Sequence, residues 1–167
     1  VTRFELMTPA DEATITAQLG RPPRGVIGIA WRCSGGEPGV VVTEPRLPDG
    51  TPFPTTYYLT CPTLTSAVST LEANGVMLEM SARLGSDPEL ADAYRAAHEA
   101  YLDDRSDYGE VPEIAGISAG GMPTRVKCLH VLVGHALAAG PGVNPLGDEA
   151  VGLLADAGVA CVAAARG

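Results

Sequence analysis

Residues 124–140 read TRVKCLHVLVGHALAAG. At 100° per residue, Val126, Leu129, Val133 and Leu137 share one face of a helix over 125–139. Cys128, Leu132 and His135 fall on one flank of that face and His130 on the other, and only Lys127, Gly134 and Ala138 point clearly away. A helix that is apolar over most of its circumference belongs in an interior. The remaining chain must supply its cover. At 167 residues, with 46% hydrophobic and 19% charged side chains, it is long and apolar enough to do so as one domain over 1–167.

The flanking punctuation divides the chain into short elements. Thr8-Pro9-Ala10-Asp11 carries a cap, a proline at the first helical position and an acid three residues after the cap, which predicts a helix over 9–19 ending at Gly20. GVIGIAWRC (25–33), VVVTE (40–44) and TTYYLTC (55–61) read as strands separated by CSGGEPG and the Asp49-Gly50 turn. Consecutive strands usually pair, so a three-stranded antiparallel sheet over about 25–60 is expected. From Pro62 the period turns helical. Leu64, Val68 and Leu71 precede a stop at Asn74-Gly75, Val76 to Leu84 follow, and Asp87-Pro88-Glu89 opens a longer helix to about 106. Asn144-Pro145 starts a last helix, and the tail GVACVAAARG is expected to fray. The fold class is α+β, the sheet packed with five or six helices.

In a meander, strands one and three run the same way, so Cys33 and Cys61 end on the same edge. With strand two between them they start about 9.5 Å apart, and loops have to bring them together. Cys128, in the first turn of the apolar helix, would have its thiolate favoured by the helix dipole. Cys33, Cys61 and Cys128 are therefore the candidate metal ligands, with His130 or His135 as fourth. Cys128 and His135 lie about 10.5 Å apart along a helix axis, a marginal span for one ion. No C-x-x-C pair of a closed structural zinc site occurs. Three lone cysteines with an open position suit catalytic zinc or an iron–sulfur cluster. Cys161 lies in the tail and is left out. The competing reading is that the cysteines only fill space.

Arg125 and Lys127 would sit in the first turn of the same helix, where cations are disfavoured. A bound anion would remove the conflict, with GISAGGM, including Gly120 and Gly121, offering backbone N–H groups. Arg21, Arg24, Arg32 and Arg46 gather around the strands, so a pocket for a small carboxylate or phosphate is expected beside the cysteines. The opposing reading is that these charges balance nearby acids.

Net charge is −9, which disfavours nucleic acid as a partner. No apolar run is long enough for a bilayer. The opening VTRFELMTPADE shows no basic region followed by an apolar core, and four widely spread cysteines are not a secreted disulfide scaffold. A cytoplasmic location with reduced thiols is the expectation.

LGRPPRG (19–25), DGTPFPTTYYLTCP (49–62), GISAGGM and VKCLHVLVGHALAAGPGVNPLG (126–147) occur in this order. Together they resemble the bacterial DUF501 family, its actinobacterial members above all, over about residues 18–154. The resemblance implies no catalytic residues. Its gene neighbourhoods, near a septum-formation initiator and an exopolyphosphatase-like phosphatase, imply a role near cell division or phosphate metabolism. Three functional readings follow. The first is a small enzyme with a cysteine-based metal or iron–sulfur site beside an anion pocket. The second is an adaptor for a protein partner or a second copy, with an apolar docking patch on the helices between 62 and 106. The third is a metal-free enzyme with Cys128 as nucleophile and His130 or His135 as base.

Overall fold

The computed structural model describes residues 4–166, with side chains to residue 163. Helix α1 (Pro9–Leu19) begins as its sequence predicts. Thr8 Oγ1 accepts from the Asp11 N–H at 3.1 Å, Asp11 Oδ2 accepts from the Thr8 N–H at 3.0 Å, and Gly20 closes the helix at φ 75°. Strands β1 (Val26–Arg32), β2 (Pro38–Thr43) and β3 (Tyr57–Leu59) form an antiparallel meander in the order β1-β2-β3. The middle strand is buried along its whole length. The open edge of β1 is covered by a bridge from the N-terminal segment, where Glu5 and Ile29 exchange two backbone hydrogen bonds of 2.8 Å.

Helices α2 (Pro62–Ala73), α3 (Val76–Ser86) and α4 (Pro88–Ser106) follow at the expected places, and α6 (Pro145–Asp156) starts where Asn144 caps it. The apolar helix, α5 (Leu129–Ala139), is the centre of the molecule. Most of its surface need not be polar, because α5 packs on β3, α2 and α6 and buries Leu129 and Val131–Leu137. Two glycines permit this closeness. A Cβ on Gly134 would stand 2.8 Å from the carbonyl oxygen of Tyr57, and one on Gly147 would stand 2.3 Å from that of Leu132.

Two polar side chains of the interior, Tyr101 and Arg105, are bonded to backbone. Tyr101 Oη accepts from the Thr56 N–H at 2.7 Å. The buried guanidinium of Arg105 donates to four carbonyls, those of Pro54, Ile114, Ile117 and Ser118. His135 is fully buried, stacked on Tyr57 and edge-on to Tyr101, with Nδ1 3.2 Å from Asn144 Nδ2.

Two expectations are corrected here. The apolar helix starts at Leu129 rather than 125, because Lys127 and Cys128 donate their N–H groups to the Gly120 carbonyl and Thr124 and Arg125 donate theirs to Gly121. Glycines at φ 68° and 93° turn the chain so that residues 124–128 fold back over them. The tail, expected to fray, instead forms a 3-10 helix (Ala160–Arg166) docked on the turn after β1. Ser34 donates its hydroxyl to the Ala160 carbonyl at 2.9 Å and its N–H to that of Cys161 at 3.3 Å, and Val162 is fully buried. The end of that tail, from residue 164, lies outside the residues whose side chains are described.

Candidate functional site

The four cysteines fall into two separate groups, and the division differs from the expected one. Cys33 and Cys61 do converge, but their third member is Cys161, not Cys128. The three sulfurs lie within 4.8 Å of one another, with Cys61 and Cys161 3.6 Å apart. Cys33 follows β1 and Cys61 follows β3, two strand spacings apart as the meander requires. Gly39 on the strand between them closes the gap. A Cβ there would meet Cys33 Sγ at 3.2 Å and the Trp31 ring at 2.6 Å, so the bare backbone is what lets the Cys33 sulfur cross β2.

The second group is Glu72, Cys128 and His130, whose ligand atoms also lie within 4.8 Å of one another. Cys128 is the residue that caps α5, His130 is in its first turn, and Glu72 comes from the last turn of α2. His130 Nδ1 stands 2.9 Å from Glu72 Oε1, and Nε2 stands 3.2 Å from the Thr65 carbonyl and 3.3 Å from Ser69 Oγ. Glu72 Oε1 also accepts the Leu129 N–H at 2.9 Å. Cys128, His130 and Val131 line a cavity of about 340 Å3 together with Thr55, Tyr57, Tyr58, Leu59 and Thr65. The profile of a family described as protein of unknown function (DUF501) matches residues 29–152, most of the chain. The chain belongs to the DUF501 family. No curated protein and no solved structure matches it.

The DUF501 match contains Cys33, Cys61, Glu72, Cys128 and His130 and stops before Cys161. The two cysteine groups differ in acidity. Burial pushes the Cys33 thiol well up, and its thiol neighbours Cys61 and Cys161 add to the shift. Cys161 is raised as well, by burial and then by Cys61. At Cys128 burial again opposes ionisation. The His130 hydrogen bond and the Val131 backbone N–H outweigh it, so the thiol titrates below its ordinary value. His130 is pushed up to about 9 by Cys128, against burial, with Glu72 helping. By distance, either group of three could hold a metal ion; the first offers only sulfur, the second a mixed set.

The other candidates stand elsewhere. His135 is in the core, its pKa pushed down to about 4 by burial, and neither group within 4.8 Å includes it. Arg125 and Lys127 precede α5 instead of opening it, and the N–H groups of Met122, Thr124, Arg125, Lys127 and Cys128 bond backbone carbonyls. The anion that the α5 N-terminus attracts is the chain's own Glu72 carboxylate. Of the strand arginines, Arg32 pairs with Asp11 and Glu5, and Arg46 pairs with Glu113. Arg21 and Arg24 line a shallow cavity with Pro23, Phe53 and Tyr58.

Glu72 escaped the sequence reading, although a signal exists. Thr65, Ser69 and Glu72 recur at helical spacing beside Leu64, Val68 and Leu71, and all three touch His130. An acid in the last turn of a helix also opposes the dipole, and such a local conflict often marks a site.

Proposed function

We propose that this chain is a thiol-dependent enzyme in which Cys128 is the nucleophile and His130 its counter-ion and proton donor. One observation carries the reading. Both ring nitrogens of His130 face groups that accept, the Glu72 carboxylate and the Thr65 carbonyl. A ring held this way is an imidazolium, and its positive charge lies beside the Cys128 sulfur. His130 is then not the base that activates the thiol at the moment of reaction. The thiol is held below its ordinary value beside that charge, and the ring holds the proton a leaving group needs.

No lysine or arginine lines the cavity, whose walls are aliphatic, aromatic and hydroxyl-bearing. The substrate class that suits it is a small uncharged acyl compound. The Cys128 thiolate adds to the carbonyl carbon, forming a C–S bond and an oxyanion whose charge the nearby His130 imidazolium offsets. The oxyanion collapses and the C–X bond breaks while X takes a proton from His130. Water then hydrolyses the thioester, giving up one proton to His130 as the thiolate leaves. The large exposed apolar side chains among the described residues, Leu6, Leu78 and Ile117, stand on three different segments, and only Leu78 is on the helices where an adaptor patch was expected.

The test is exposure of the full chain to p-nitrophenyl acetate at pH 7 with mass mapping. An acetyl group on Cys128, with a burst of one nitrophenolate per chain that is lost in Cys128→Ser, is expected. Acetylation absent from Cys128, or a Cys128 no more reactive than a free thiol, would overturn the reading.

A further inference from the structure

We propose that Cys33, Cys61 and Cys161 form a binding site for a single thiophilic d10 ion, Zn2+ or Cu+, independent of the Cys128 site. The spacing is the first argument. Sulfurs that share one ion at about 2.3 Å stand about 3.8–4.0 Å from one another in tetrahedral or trigonal geometry. Cys61 and Cys161 are 3.6 Å apart, and all three sulfurs fall within 4.8 Å. The chain's cysteines are free, and these separations are far beyond the roughly 2.05 Å of a disulfide. An iron–sulfur cluster needs its ligands further apart, since the cluster body stands between them, so the geometry points to one ion.

The second argument is the company the sulfurs keep. They come from three remote stretches of chain, Cys33 and Cys61 are buried, and the sulfurs of Cys61 and Cys161 touch. A soft cation would draw the three sulfurs together as thiolates. Each S–H loses its proton to solvent, three M–S bonds form, and the charges of the thiolates are met by the ion. Lys, Arg and carboxylate groups are not in the group, which excludes a hard cation such as Mg2+ or Ca2+.

The third is placement. Gly39 keeps β2 clear of the Cys33 sulfur, and the Ser34 bonds to Ala160 and Cys161 hold the C-terminal 3-10 helix over the end of the sheet. Bound metal would fasten three elements at one point, leaving its fourth position open to a small ligand.

The reduced full chain is titrated anaerobically with Zn2+ against a chromophoric chelator, with Co2+ as an optical reporter, and separately with Cu+ against a Cu+ chelator. One ion per chain is expected, with an intense thiolate-to-cobalt charge-transfer band if the site prefers the divalent ion. Cys161→Ser should weaken affinity by roughly 100-fold or more. Cys161 is half-buried in the C-terminal 3-10 helix, so this variant reads the site even if Cys33→Ser or Cys61→Ser fails to fold. Cys128→Ser and His130→Gln should bind the ion unchanged. Binding that survives Cys161→Ser but is lost in His130→Gln would place the ion at the other group and overturn the proposal. So would a reduced protein that takes up neither ion. Cys128 acetylation is measured separately, so the two ideas fail independently.

Discussion

Cys128 and Cys33 are the same side chain in two settings. Cys128 opens a helix beside an imidazolium and a carboxylate at the wall of a cavity; Cys33 lies behind Gly39 among other thiols. Burial pushes both thiols up, and at Cys128 it is the largest single influence. The difference lies in what else is near. A cation and a helix N-terminus overcome the desolvation cost, whereas a second and third thiol increase it. The number of cysteines in a cluster is therefore a poor guide to reactivity. The group whose thiol is held below its ordinary value is the one with the fewest sulfurs.

The contrast is broken most completely at Cys128 itself. In a brief iodoacetamide pulse at pH 7, labelling should fall on Cys128 and vanish in Cys128→Ser, with Cys33 and Cys161 modified only after denaturation; peptide mass mapping reads all four sites. Label on Cys33 at a comparable rate would erase the distinction. Next in size is Gly39→Ala, which drives a methyl into Trp31 and the Cys33 sulfur. Overpacking of this kind costs about 1–3 kcal/mol, measurable by urea unfolding, and the labelling rate of Cys128 should not change. His130→Gln should slow Cys128 labelling at pH 7 by roughly tenfold, because removing the cation moves the thiol's titration upward. In the wild type the sign with pH is fixed by both groups. Labelling rises as pH passes the depressed thiol value and stays high, whereas acyl turnover falls again above about 9 as His130 loses its proton. Smallest is Thr8→Ala, remote from both groups, which should cost about 1 kcal/mol through the lost cap and leave the reactivity of all four cysteines alone.

The parts of this fold that were readable are those governed by local rules. The Thr8–Asp11 capping box, the Gly20 stop, the Asp87 and Asn144 caps and the meander order are all fixed within a few residues. The convergence of Cys33 and Cys61 was legible because a meander puts the ends of its first and third strands together. The third cysteine was not. Whether it is Cys128 or Cys161 depends on where α5 begins and on how the tail docks, and both depend on distant contacts. Periodicity carried the helix back to 125, since Val126 is in phase and is buried in the loop as well. What stops the helix is the set of Gly120 and Gly121 carbonyls taking the N–H groups of Thr124, Arg125, Lys127 and Cys128. Glu72 was missed because its partner is 58 residues away in sequence.

Arg105 has a consequence for motion. One side chain on α4 grips the carbonyl before β3 at Pro54 and three carbonyls over 114–118. These stretches are joined through a single planar fork and not through a strand pair or a helix. In native-state hydrogen exchange the amides of the two should therefore open together as one unit. Lysine, with one ammonium in place of the fork, should uncouple their opening without unfolding the sheet.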